Sequence, residues 1–125
     1  MSKGSQVPTP QEQEAALRAV TERGVPLFMN VTLTIDPQRR ETFLAALRDV
    51  LPRARAEETC VHLHAGHSAA DPRIFMLSEG WSDLVEYRDT VLRRPYFQKY
   101  LRISGECYAQ PRVVAPLVPI DPVAW

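Results

Sequence analysis

Pro26-Leu27-Phe28-Met29-Asn30-Val31-Thr32-Leu33-Thr34-Ile35 is the stretch on which the fold turns. Leu27, Met29, Val31, Leu33 and Ile35 share one face of an extended chain; Phe28, Asn30, Thr32 and Thr34 share the other. Period-two alternation predicts a strand, because successive strand side chains point to opposite sides. One face is wholly apolar and needs a cover, while the other is mixed. Asp36-Pro37 follows at once, and a cap residue with proline at the first helical position predicts a helix. Its buried stripe is Phe43, Leu44, Leu47, Val50 and Leu51 at helical spacing, and Pro52 is expected to end or kink it.

Outward from this pair, residues 60–66 read as a short second strand. Asp71-Pro72 marks a turn, and Arg73 to Trp81 reads as a third strand. Ser82 is placed to cap a third helix carrying Leu84, Tyr87, Arg88, Val91 and Leu92. Pro95 restarts it with Tyr96, Phe97, Tyr100 and Leu101. Val113 to Ile120 forms a last strand; Pro116 and Pro119 cannot donate to a ladder, which assigns it to an edge or interface. Ahead of the first strand, Thr9-Pro10-Gln11-Glu12 starts a helix expected to run to about Arg23, with Gly24 to terminate it. Its apolar stripe (Ala16, Leu17, Ala19, Val20) is weak, so loose packing is expected. Residues 1–8 read as a flexible tail and 9–125 as one domain, with a leading helix over 9–23 and a core over 25–120.

The order after the leading helix is β-α-β-β-α-β, a ferredoxin-like split α+β sandwich with one bare sheet face. That face keeps several apolar groups, and a second copy of the chain related by a two-fold axis is the expected cover. A homodimer follows as the expectation. A chain of 125 residues is long enough for one core without a disulfide or metal. Fifteen basic residues balance fifteen acidic ones, and no basic run provides a nucleic-acid footprint. The polar start, MSKGSQVPTPQEQ, lacks the apolar core of a secretory signal, and no apolar run is long enough to span a bilayer. No membrane association and a cytoplasmic setting, with Cys60 and Cys107 as reduced thiols, are expected.

Four short motifs in a fixed order resemble the antibiotic biosynthesis monooxygenase domain family, whose members form dimeric α+β barrels. They are the β-α-β-β-α-β order at this length; Pro52-Arg53-Ala54-Arg55-Ala56-Glu57 leading into the second strand; Glu79-Gly80-Trp81 closing the third; and Arg94-Pro95-Tyr96-Phe97. The resemblance covers about residues 25–118. Two histidines usual in the family are replaced, one by Asp89 or Thr90 and one by Tyr96. Leu101 stands where the heme-degrading branch has its proximal histidine. The resemblance therefore implies the cofactor-free branch, which oxidises anthrone- or hydroquinone-like polyketides with dioxygen. No flavin, heme or metal is expected. The alternatives are a binding or auxiliary protein on the same barrel, and a small isomerase or cyclase.

The site expected from these residues centres on Asn30 and Trp81. Asn is depleted in strands, and a buried amide serves either a structural neighbour or a ligand. Trp81 is a natural core anchor whose indole N–H can also serve a pocket. In the oxygenase reading, Asn30 bonds the enolate or peroxide oxygen, Trp81 walls the pocket and donates its N–H, and Tyr96 or a strand-two histidine such as His64 moves protons. Phe28, His62, Leu77, Tyr87, Arg88 and Tyr100 are expected to bind the substrate, with Arg88 as a cation for an enolate or phenolate. Cys60, His62 and His64 alternate along one strand, an arrangement open to zinc or copper, but no fourth ligand stands at a fixed spacing.

Overall fold

The structure is a computed structural model that describes residues 7–120. Helix α1 (Pro10–Ala19) precedes strand β1 (Leu27–Thr34). A short 3-10 turn (Pro37–Arg39) then leads into α2 (Arg40–Arg55), β2 (Cys60–His67) and β3 (Ile74–Trp81). Helix α3 (Leu84–Asp89), a second 3-10 turn (Val91–Arg93), α4 (Pro95–Gly105) and β4 (Val113–Leu117) complete the order. The sheet is antiparallel with order β2-β3-β1-β4, the ferredoxin-like arrangement, and β4 occupies an edge as its Pro116 requires. Among the described residues, no helix is long and apolar enough to cross a membrane.

The period-two face of β1 supplies the floor of the core: Leu27, Met29, Leu33 and Ile35 are buried beneath α2 and α4. Phe43, Leu47, Val50 and Ala54 of α2 meet them, and Phe97 and Tyr100 of α4 close the layer. Phe43 packs edge-on against Phe75 of β3 at 4.9 Å between ring centroids, pinning α2 to the sheet.

Four local expectations are corrected. Pro52 does not end α2, which runs to Arg55. The last turn is held because Ala54 is fully buried, the Ala56 amide returns to the Pro52 carbonyl at 3.2 Å, and Arg55 Nε donates to the Leu63 carbonyl at 2.9 Å. α1 stops at Ala19, short of Arg23, because the Arg88 guanidinium takes the carbonyls of Leu17 and Val20 at 3.1 and 2.6 Å. Gly24, at φ +83°, instead turns the connecting loop, where its amide meets Asp83 Oδ2. The cap of α3 is Asp83 rather than Ser82, its side chain accepting from the Glu86 amide. β4 ends at Leu117, before Pro119. Of the expected tail, residues 1–6 lie outside the described residues, and Val7 is exposed. α1 carries no buried residue, in keeping with its weak stripe.

Gly80 lies where a side chain has no room. A Cβ there would stand 2.5 Å from the His62 ring and 2.8 Å from Phe28. Gly80→Ala is expected to cost about 1–3 kcal/mol through displacement of both rings. Chemical denaturation measures it, and an unchanged midpoint would refute the close packing.

Candidate active site

Between the inner sheet face and the helices lies a cavity of about 170 Å³. Met29, Val31, Leu63 and Leu77 form its floor, and Val50, Ala54 and Phe97 form its roof. An apolar cavity of roughly 150 Å³ already accepts benzene, so this one has room for an aromatic ring. A second cavity of about 140 Å³ lies under α1 and shares Glu14, Leu17, Tyr87 and Leu92 with the first. No histidine or cysteine lines either one. The polar residues of the first are Glu79, Tyr87, Tyr100 and Tyr108, with Glu14 and Arg112 in the wall; Arg18 and Arg88 line the second.

Glu79 is the anomaly. On β3 the inward positions are Phe75, Leu77, Glu79 and Trp81, so a carboxyl stands where periodicity calls for an apolar group. It is 7% exposed, and Trp81 Nε1–H donates to its Oε1 at 3.0 Å. Burial pushes the Glu79 carboxyl up to about 7, with the Trp81 hydrogen bond and the Arg112 charge pulling part of the way back. A carboxyl that titrates near neutrality inside an apolar cavity is suited to take and return a proton. Burial and the Glu79 charge hold the Tyr87 phenol well above its ordinary range, and burial raises Tyr100 too, so both remain neutral hydroxyls.

The expected residues do not gather in one place. Leu77, Tyr87 and Tyr100 line the cavity. Trp81, fully buried, stands behind Glu79 rather than in the wall, with its ring 4.5 Å from Tyr87. Phe28, Asn30, His62 and His64 lie on the opposite, outer face of the sheet. Asn30 and His64 both pair with Ser78, and His62 stacks on Phe28 and His64 with Nε2 3.2 Å from Ser78 Oγ. Asn30 and Trp81 therefore do not share a pocket within one chain. A register shift between Cys60 and His62 places Cys60 opposite Trp81 on the inner side and His62 opposite Gly80 on the outer, so the three-ligand row is broken. Among the described residues, no three His, Cys, Asp or Glu side chains gather to hold a metal ion.

Tyr96 lines neither cavity, and Arg88 lines only the one under α1. The Tyr96 hydroxyl donates to Glu57 Oε2 at 3.0 Å, and Arg94 grips the same carboxylate at 2.7 Å, fastening α4 to the start of β2. Arg88 is spent on the α1 carbonyls and on Asp89 at 2.7 Å. Four polar residues of the cavity, Glu14, Glu79, Tyr108 and Arg112, were not among the expected site residues. For Glu79 a signal existed, a charged residue at an inward strand position. Arg112 lies in the loop before β4 and follows no periodicity.

The raised Glu79 carboxyl links stability to pH. Its acid form is the one the fold prefers, so its contribution is intact below about pH 4.5 and is lost as pH rises towards 7. Above that, ionisation costs on the order of 3 kcal/mol. Glu79→Gln keeps the shape and cannot ionise. The variant is expected to melt progressively higher than the parent between pH 5 and 8, read by calorimetry; parallel melting curves across that range would contradict the burial effect.

Comparison with known proteins fits this architecture. The family model of the antibiotic biosynthesis monooxygenases matches residues 26–102. The chain is similar to Rv0793 from Mycobacterium tuberculosis at 23% identity and TM-score 0.72, covering 80% of this chain and 100% of that one. A Bacteroides thetaiotaomicron protein aligns at 21% identity and TM-score 0.73, over 80% and 94% of the two chains. An antibiotic biosynthesis monooxygenase structure aligns at 19% and 0.70, over 76% and 99%. These likenesses speak for the fold. No curated protein matches the chain. With the family model spanning more than half of its length, the chain belongs to the antibiotic biosynthesis monooxygenase family.

Proposed function

We propose that the inner cavity oxidises an electron-rich anthrone- or hydroquinone-like aromatic with dioxygen, without a cofactor, and that Glu79 is its general base. The observation that carries this reading is the Glu79 carboxyl, buried among apolar side chains, bonded to Trp81 and titrating near 7. For an anthrone, Glu79 removes a proton from the ring methylene, and the resulting carbanion gives one electron to dioxygen. The radical pair combines into a C–O bond, and Glu79 returns its proton to the peroxide. Removal of the remaining C–H proton breaks the O–O bond and expels hydroxide, which becomes water with that proton. The methylene ends as a carbonyl, one oxygen atom is in the product and the other is in water. Tyr87 and Tyr100, which line the cavity, supply donors to the oxygen charge that develops in this reading, and the apolar walls limit solvent. A three-ring substrate would extend from the main cavity towards the one under α1.

The dimer belongs to the same reading. On the outer sheet face Met76 and Leu117 are about half exposed beside Val113, an apolar surface that a second copy would cover. Light scattering at micromolar concentration is expected to give twice the 14.2 kDa chain mass; the monomer mass alone would refute the pairing.

Oxygen uptake by metal-free protein with a panel of anthrones and hydroquinones tests the activity. Turnover is expected to rise with pH and level off above about 7, since the base must be ionised. Glu79→Gln is expected to lower it by roughly a hundred- to ten-thousand-fold. Trp81→Phe removes the hydrogen bond that favours the carboxylate, so its pH profile is expected to move to higher pH. Substrate turnover without oxygen consumption would make the chain an isomerase or cyclase using the same base; substrate binding without turnover would make it an auxiliary protein.

A further inference from the structure

We propose that Arg112 is the specificity residue of the cavity, receiving the carboxylate of an acidic aromatic substrate in exchange for Glu14. The inference rests on the reading that the inner cavity takes an aromatic compound. Arg112 and Glu14 both stand in the wall of that cavity, and Arg112 Nη2 lies 2.6 Å from Glu14 Oε1. A carboxylate thus already occupies the seat that a substrate carboxylate would need. The planar guanidinium fork matches that group, and one side-chain carboxylate shows the size of acceptor the seat admits.

The exchange is easy because the resident pair is wet. Its side chains are 42% and 32% exposed, and ion pairs at that level of exposure contribute little to stability. The helix that carries Glu14 buries no residue, so releasing its side chain disturbs no core packing. Both partners also lie outside the family-matched span of 26–102, α1 before it and Arg112 after it. The Arg112 charge reaches Glu79, Tyr87 and Tyr100, favouring their ionised forms. A substrate held by its acidic end at Arg112 would direct its ring towards Glu79.

Calorimetric titration of the full chain with naphthalene-2-carboxylate and its neutral primary amide tests the assignment by binding alone. The two probes share ring and shape and differ in charge. The parent protein is expected to bind the carboxylate about ten- to a hundred-fold more tightly than the amide. Arg112→Gln should erase that preference while keeping amide affinity, which also reports an intact fold. Glu14→Gln should tighten the carboxylate alone, because its competitor is gone. Equal affinities in the parent, or a preference that survives Arg112→Gln, would overturn the role of Arg112 and leave the oxygenase reading standing. Binding of neither probe would overturn the aromatic cavity itself and this inference with it. A clear carboxylate preference without oxygen uptake would sink only the oxygenase chemistry.

Discussion

A carboxyl group buried in an apolar sandwich is stabilised as the neutral acid, and everything distinctive about this chain follows from its having one. Glu79 is held in the core layer by the alternation of β3, which forces its side chain inward between Leu77 and Trp81. The Trp81 indole supplies a donor to the buried carboxyl, and this softens the desolvation without cancelling it. The fold therefore accepts a carboxyl balanced near neutrality, at the expense of stability wherever that carboxyl ionises. Such a trade fits a catalytic group better than a packing one.

The rest of the structure keeps that group dry and reachable. β1 and β3 form the rigid centre of the sheet; α2 and α4 cover it. The inner helix-facing side chains leave a gap rather than filling it, with Tyr87, Tyr100 and Tyr108 among its lining. α1 lies along this opening as an appendage outside the family-matched span, fastened by Arg88 to its last carbonyls and by Glu14 to Arg112. Strand β3 provides the base, and α1 together with the loop before β4 borders the cavity that leads to it.

Much of the fold is legible in the sequence because it rests on periodicity. The alternation over 26–35, the α2 stripe and the turn at Asp71-Pro72 all appear where local rules place them. Two of the failures share a cause, a partner elsewhere in the chain. Pro52 is tolerated because Ala54 is buried and Arg55 reaches β2. α1 ends early because Arg88, 68 residues beyond Val20, takes its carbonyls. The site divides in the same way. Leu77, Tyr87 and Tyr100 are found by their faces, but a single bulge at Cys60–His62 breaks the strand-two row. The parity of β1 sends Asn30 to the outer face, away from Trp81. Glu79 was visible as a misplaced charge in an apolar register, whereas its proton affinity depends on the three-dimensional burial around it.

Direct titration of the Glu79 carboxyl tests this account most closely. The side-chain carbonyl carbon, labelled with carbon-13 and followed by NMR from pH 4 to 9, should report a single transition centred at about 7. In Trp81→Phe protein the midpoint should move upward. A midpoint near 4.5, the ordinary value for a solvated glutamate, would mean that water reaches Glu79 and that it is no base held in a dry cavity.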